Sequence, residues 1–269
     1  MKVLFFCLKF DVLFELNVMI MYYKFENCAN SVESCVVAQR AGVDRVELCA
    51  GMPEGGTTPS YGDIVMARRV LTTTKLHVII RPRGGDFLYS DLEKEIMIED
   101  VRMARSLGVD GVVFGALTPE GDVDMEFMRR LMQEAEGMSV TFHRAFDVCR
   151  DPFVALEQII ELGCHRILTS GQMPKAEEGV CLLRELVERA GERIIIMPGC
   201  GVNVRNIAYI AKETGAREFH FSGRTRCESG MIFRKSRVSM GGAVVIDEYS
   251  RDVTDELVVR ETMRELGVE

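Results

Sequence analysis

Short apolar runs rich in β-forming residues alternate with amphipathic segments along almost all of this 269-residue chain. Parallel strands separated by helices form a layered α/β protein, and eight repeats of the unit predict a single closed (β/α)8 barrel. A doubly wound open sheet is the alternative, although no GxGxxG or P-loop turn follows the first run. The predicted strands are Tyr23–Ala29, Asp44–Ala50, Leu76–Pro82, Gly111–Gly115, Ser139–Arg144, Arg166–Ser170, Arg193–Pro198 and Glu218–Gly223.

Helix start and stop signals frame the segments between these strands. Ser31 is a candidate N-cap, Pro152 suits a first helical turn, and glycines such as Gly42 and Gly215 follow helices as C-caps do. Residues 224–269 form a tail that includes the apolar run 239–246 and a helix near Thr254–Leu266, and we expect it to cover the barrel or contact another copy. The other predicted helices are Ser31–Ala41, Tyr61–Leu71, Asp91–Leu107, Asp124–Ala135, Pro152–Leu162, Ala176–Ala190 and Val204–Thr214.

Composition excludes several classes of protein. A formal net charge of −8 argues against a nucleic-acid-binding protein, which usually carries a basic patch. The nine cysteines are odd in number and many lie in apolar runs, so they do not indicate a disulfide framework. We therefore expect a cytoplasmic protein from a reducing compartment, with no membrane span and no nucleotide cofactor.

The first twenty residues differ from the rest. They begin with an apolar run like that of a signal peptide, but Lys9, Asp11 and Glu15 interrupt it and no small-residue cleavage site follows. We interpret residues 1–20 as an extension outside the domain, with Met19 or Met21 as alternative starts. Residues 21–269 then form the barrel domain.

Ionisable residues occur where the predicted strands end. The run from Ser139 to Asp147 is a short strand that finishes in His143 and Arg144, and several other strands finish in the same way. The carboxyl ends of barrel strands share one rim, where sites of this fold lie. A satisfied salt-bridge network is the alternative to a site. If the protein is an enzyme, its candidate catalytic residues are Glu26, Glu47, Arg81, His143 and His220.

Two glycine-containing turns follow the last two predicted strands, the usual place for a phosphate site in this fold. Their backbone N–H groups and one arginine are suited to binding an anion. A helix predicted to begin after Asn203 would add the favourable dipole of its N-terminus. Tight turns without a ligand are the alternative. Two further glycine-rich loops, residues 51–59 and 83–89, are either mobile lids or plain turns. The candidate anion-binding residues are Gly199, Gly201, Ser222, Gly223 and Arg224.

Two cysteines end neighbouring predicted strands. Alternation in a strand points Cys28 inward with Glu26, and Cys49 inward with Glu47. Two inward thiols at matched heights suit a soft metal such as Cu(I), or a disulfide if the geometry allows it. On spacing alone, two small buried cysteines are the better explanation of the pattern.

Several long motifs resemble the CutC copper-homeostasis family, and the resemblance runs from about Tyr23 to the C-terminal tail, leaving residues 1–20 without a counterpart. The motifs are Cys28-Ala-Asn-Ser-Val-Glu33, Asp44-Arg-Val-Glu-Leu-Cys49, Glu54-Gly-Gly-Thr-Thr-Pro-Ser60, Ile80-Arg-Pro-Arg-Gly-Gly-Asp-Phe-Leu-Tyr-Ser90, Val140-Thr-Phe-His-Arg-Ala-Phe-Asp147, Leu168-Thr-Ser-Gly171 and Met197-Pro-Gly-Cys-Gly201.

The resemblance implies a TIM barrel, a homodimer or higher homo-oligomer, and cytosolic copper handling. It also implies that Cys28 and Cys49 are the Cu(I) ligands. Two functional hypotheses therefore follow from the sequence. One is a copper-homeostasis protein that binds Cu(I). The other is an enzyme acting on a small anionic or polyhydroxy compound, with His143 or Glu47 as the acid or base.

Overall fold

All eight predicted strands are present and parallel in the computed structural model, which describes residues 22–235, 237, 238, 240 and 247–268. Most of them end one to three residues earlier than predicted, because the polar residues at their carboxyl ends belong to the rim loops. The strands are β1 Lys24–Ala29, β2 Arg45–Leu48, β3 Lys75–Ile79, β4 Gly111–Phe114, β5 Ser139–Phe142, β6 Arg166–Thr169, β7 Ile195–Pro198 and β8 Glu218–Phe221.

The strands follow one another around a barrel. Hydrogen-bonded neighbours run in the order β7-β6-β5-β4-β3-β2-β1-β8, and β7 and β8 contact each other without a shared ladder among the described residues. A doubly wound sheet would reverse this order at a switch point. The consecutive order therefore confirms the predicted (β/α)8 barrel, which is nearly closed, and excludes the open-sheet alternative.

The helices surround the barrel, and none that the structure describes has the length and apolar character needed to cross a bilayer. The Ser31 hydroxyl caps the first helix by accepting the Ser34 N–H, and Pro152 opens the fifth, both as predicted. The sixth and seventh helices begin later than predicted. They are α1 Val32–Ala41, α2 Tyr61–Val70, α3 Asp91–Ser106, α4 Met125–Glu134, α5 Pro152–Glu161, α6 Val180–Ala190, α7 Ile207–Thr214 and α8 Glu256–Arg264.

The tail returns to the barrel, as predicted. Strands β9 (Arg224–Glu228) and β10 (Ser250–Thr254) pair antiparallel, and α8 then packs against α1. The Thr254 hydroxyl donates to Asn27 Oδ1 at 3.2 Å, which joins the end of β10 to β1. Helix α8 thus supplies the helix of the eighth β/α unit. The predicted extension 1–20 and, apart from residue 240, the run 239–246 lie outside the described residues.

Candidate functional site

A cavity of about 500 Å³ opens at the carboxyl ends of the barrel strands. Sites of (β/α)8 proteins lie at this rim. Two predicted site residues do not line the cavity: Glu26 is fully buried, and Gly199 packs closely against Leu168 and His220. The other predicted residues all line it, namely Cys28, Glu47, Cys49, Arg81, His143, Gly201, His220, Ser222, Gly223 and Arg224.

Strand register brings three side chains together on the cavity wall. Cys28 on β1 is paired with Glu47 on β2, while Glu26, two residues earlier on β1, is paired with His220 on β8. Because alternate residues of a strand face the same side, these groups point into the barrel. The Cys28 sulfur, a Glu47 oxygen and a His220 nitrogen all lie within 4.8 Å of one another. This geometry suits a metal ion.

Cys49 adjoins this cluster from the end of β2. Its backbone N–H donates to the Ala29 carbonyl at 2.9 Å, and its side chain packs against Cys28 and Ile79. The Cys49 sulfur lies 3.4 Å from Glu47 Oε2. The two thiols predicted to face each other are therefore neighbours, and both are free.

Cys28 lies among hydrogen-bond donors. Arg224 Nη2 donates to its sulfur at 3.3 Å and to its carbonyl at 3.2 Å. The pKa of Cys28 is lowered most by a hydrogen bond from Cys49 and next by a hydrogen bond from His220. Together these two bonds outweigh the effect of burial and hold the pKa of Cys28 well below its ordinary value. The same bond to Cys28, together with burial, raises the pKa of Cys49 well above its ordinary value. These opposite shifts favour a thiolate at Cys28 and a thiol at Cys49.

His220 carries the charge that faces this thiolate. Burial alone would lower the pKa of His220, but its hydrogen bonds to Cys28 and Glu26 raise that pKa well above its ordinary value. Its Nδ1 donates to Glu26 Oε1 at 2.8 Å, which orients the ring from below. Glu26 thus acts by positioning His220 rather than by facing the cavity.

Glu47 is the least satisfied member of the cluster. Burial raises the pKa of its carboxyl to about 8, so it holds a proton at neutral pH. Its Oε1 has no hydrogen-bond partner in the part of the chain that the structure describes. Its Oε2 lies 3.7 Å from His220 Nε2. A protonated, partly unpartnered carboxyl in a cavity has the properties of a general acid.

A salt-bridge network does exist one layer below the cavity, where Glu26 is joined by residues that were not among the predicted site residues. Glu26 pairs with Arg45, and Arg45 also donates to Glu218 at 2.8 Å. Arg166 approaches Glu218 at 3.2 Å, and His77 lies 3.8 Å from Glu26. Sequence reasoning missed Arg45, Arg166 and Glu218 because they lie at the first positions of β2, β6 and β8 rather than at the strand ends.

His143 sits on the opposite wall, at the end of β5. Its Nδ1 accepts the Ala145 N–H at 3.3 Å, and its Nε2 has no partner among the described residues. Burial, helped by the charge of Arg81, lowers the pKa of His143 to about 3, so the ring is neutral. Its chemistry at neutral pH is therefore that of an N–H donor rather than that of a base.

Arg81 holds the two glycine-rich loops. Its Nη1 donates to the carbonyls of Glu54 and Gly56, both at 2.9 Å, and its Nη2 donates to Gly85 at 2.8 Å. Loops 51–59 and 83–89 are therefore tied to one guanidinium, which favours plain turns over mobile lids. Only Nε of Arg81 is without a partner in the described part of the chain.

The turns after β7 and β8 partly match the predicted anion site. Cys200 and Gly201 have positive φ values of 73° and 77°, and the N–H groups of residues 200–202 and 222–223 meet no acceptor among the described residues. Such a run of free N–H groups can cradle an anion. Helix α7, however, begins at Ile207 and not just after Asn203, so its first turn lies farther from the cavity than predicted.

Comparison with known proteins places the chain in one family. The model of the CutC family matches residues 23–225. A CutC family protein of Bacteroides fragilis is 63% identical over 244 residues, which cover 91% of this chain and 97% of that protein. The human copper homeostasis protein cutC homolog is 50% identical, over 87% of this chain and 86% of its own length. The crystal structure of CutC from Streptococcus agalactiae gives a TM-score of 0.72 at 39% identity, covering 74% of this chain and 98% of that one. This chain belongs to the CutC family.

Proposed function

We propose that this protein serves copper homeostasis by binding Cu(I) at the Cys28–Cys49 thiol pair on the cavity wall. The observation that carries the proposal is the close grouping of the Cys28 sulfur with ligand atoms of Glu47 and His220, with the Cys49 thiol beside it. The names of the human and Streptococcus agalactiae relatives, which refer to copper homeostasis or to CutC, support it.

The donor set suits this cargo. Thiolates are soft ligands that select Cu(I), and imidazole also binds copper, whereas a carboxylate is a harder ligand. Cys28 and Cys49 would hold the ion, and His220 is within reach as a third ligand. Metal binding requires deprotonated ligands, so Cu(I) would displace the proton of Cys49 and, where His220 binds as well, the proton of its Nε2. Burial of both thiols would protect the ion from solvent.

A cytoplasmic, homo-oligomeric protein fits the same proposal. The eight cysteines that the structure describes are all free, which supports a reducing compartment. Ile232 is fully exposed and Phe233 is 72% exposed beside β9, and apolar side chains of this kind favour contact with another copy.

A competition titration tests the copper proposal. The protein and a Cu(I) chelator of known affinity are mixed anaerobically under reducing conditions, and the variants Cys28→Ser and Cys49→Ser are compared with Cys181→Ser, whose thiol is exposed on α6. We expect one tightly bound ion in the wild type and in Cys181→Ser, and affinity at least about tenfold weaker in the other two. Equal affinity in all four proteins would contradict the proposal.

A second candidate function is favoured by Glu47, whose carboxyl is protonated at neutral pH and faces the cavity. In that function the protein is an enzyme that moves a proton on a small anionic or polyhydroxy compound: the ionised form of Glu47 takes the proton from carbon, and the protonated form returns one. Exchange of carbon-bound hydrogen for deuterium in D2O tests it with a panel of hydroxy acids and sugar phosphates. Exchange that Glu47→Gln abolishes would support it, and no exchange on any compound would contradict it.

A further inference from the structure

We propose that the cavity wall formed by His143, Arg81 and Phe87 binds the carboxylate of a small organic acid. Two buried nitrogens that have no hydrogen-bond partner among the described residues belong to this wall, beside one aromatic ring. The proposal rests on the second candidate function, the enzyme, and names the class of ligand that its cavity would bind. It does not depend on copper, because none of the three residues belongs to the thiol cluster.

The first donor is Nε2 of His143. Because Nδ1 accepts a backbone N–H, the neutral ring carries its proton on Nε2. That nitrogen is buried, and no acceptor reaches it within the described part of the chain. A buried donor left unpaired costs free energy, which a ligand oxygen would recover. The residue is 4% exposed and lines the cavity, so its ring borders the space that a ligand would occupy.

The backbone makes room for this ring. A side-chain carbon at Gly115, at the end of β4, would lie 2.8 Å from His143 Nδ1 and 3.0 Å from Phe142. Such a contact is too close for an ordinary side chain. The imidazole therefore occupies the space that a side chain at position 115 would take. The fold thus accommodates the His143 ring at this place because residue 115 is a glycine.

The second donor is Nε of Arg81. Three of the five N–H groups of this guanidinium donate to loop carbonyls, and Nε is its one nitrogen that has no hydrogen-bond partner among the described residues. Phe87 contacts both residues: its ring centroid is 4.8 Å from that of His143 and 5.0 Å from Cζ of Arg81. Both donor residues therefore adjoin one apolar surface.

Charge and shape favour an organic carboxylate. Arg81, Arg224 and His220 line the cavity and bring positive charge to it, and the pKa of His220 is raised. Cys28, whose pKa is lowered, brings negative charge. This excess of positive charge attracts anions. Two single N–H donors beside an aromatic ring suit a planar carboxylate carrying a short apolar chain. A phosphate would instead be served by the free N–H groups of residues 200–202.

Imidazole NMR tests the proposal on metal-free protein in the presence of a chelator. The chain has only four histidines, so the ¹⁵N signals of His143 are assigned by their loss in His143→Gln. The probes are acetate, succinate and inorganic phosphate, with sodium chloride of equal ionic strength as control. We expect the two carboxylates to shift the His143 Nε2 signal saturably, and chloride to leave it unchanged.

Affinity measurements on variants complete the test. We expect His143→Gln to weaken succinate binding at least about tenfold, as loss of a hydrogen bond to a charged group does, and Phe87→Leu to weaken it less. Glu157→Gln, on the surface of α5, is the control for folding. No carboxylate shift at His143, or a shift with phosphate alone, would overturn the proposal. Failure of the copper titration would not affect this result, because no metal is present.

Discussion

His220 Nδ1 donates to Glu26 Oε1 across 2.8 Å, from the rim of the barrel to the layer below it. The same imidazole approaches the Cys28 sulfur on its other side. Carboxylate, imidazolium and thiolate thus form a line that begins inside the barrel and ends at the cavity. Because Glu26 is itself held by Arg45, the buried salt bridges fix the orientation of the ring that faces the thiol.

The thiolate character of Cys28 predicts its reactivity. A hydrogen bond from Cys49 and then the interaction with His220 hold the pKa of Cys28 well below its ordinary value, so its thiolate forms at a lower pH than that of an ordinary cysteine. We expect iodoacetamide to label Cys28 at nearly constant rate between pH 9 and 7, and His220→Gln to reduce the rate at pH 7 by about tenfold. Mass spectrometry of the modified peptides measures both rates.

Two buried cysteines provide internal controls for this labelling. Burial raises the pKa of Cys35 and of Cys164 to about 12, so both should remain unmodified in the folded protein. A wild-type rate at Cys28 that rises with a midpoint near pH 9 would show an ordinary thiol and contradict the assignment.

The layer beneath the site predicts a stability effect. Glu26→Gln removes the charge that Arg45 faces in a fully buried position, and breaking such a pair costs about 3 kcal/mol of unfolding free energy. Glu157→Gln breaks an exposed pair with Arg193 and should change the stability little. Urea unfolding of the two variants compares them directly. Equal stability of both variants would show that the buried network contributes nothing.

Neutral His143 predicts a dependence of stability on pH. Its pKa is about 3 in the folded protein, chiefly through burial, and about 6.5 when unfolded. Between these values the unfolded chain binds the extra proton, so His143 lowers the free energy of unfolding by about 1.4 kcal/mol for each pH unit below 6.5. We expect His143→Gln to flatten the stability profile by that slope between pH 6 and 4, measured by urea unfolding. Parallel profiles would mean that His143 titrates normally.

The packing of the barrel predicts a contrast between two glycines. A side-chain carbon at Gly111 would lie 2.5 Å from His77 Nε2 and 2.6 Å from the Ser139 carbonyl, whereas at Gly62 in α2 the nearest atom is 3.8 Å away. Gly111→Ala should therefore destabilise the fold by about 1–3 kcal/mol. Gly62→Ala should be neutral or stabilising by about 0.5–1 kcal/mol. Thermal unfolding distinguishes the two, and equal effects would contradict the packing described.

Local patterns in the sequence were enough to predict much of this arrangement. Alternation along a strand is a local property, so Cys28, Glu47 and Cys49 could be placed on one wall without the structure. The roles of Glu26 and Arg81 could not be predicted in this way. Glu26 lies one layer too deep to reach the cavity, and the guanidinium of Arg81 is used by carbonyls of loops that only the folded chain brings around it.

The protonation of the two cavity histidines also could not be predicted from the sequence. His143 directly follows β5 and His220 is the penultimate residue of β8, yet the pKa of the first is lowered to about 3 and that of the second is raised well above its ordinary value. The difference arises because His220 meets Glu26 and Cys28, whereas His143 meets Arg81 and Phe87. These neighbours come from other strands and loops, so no local pattern distinguishes the two histidines.

X-ray absorption at the copper edge tests the central claim most directly. Wild-type protein loaded anaerobically with one equivalent of Cu(I) should show two sulfur neighbours, and Cys28→Ser and Cys49→Ser should each lose one of them. A spectrum with only nitrogen and oxygen neighbours, or one that both substitutions leave unchanged, would contradict the assignment of the thiol pair as the copper site.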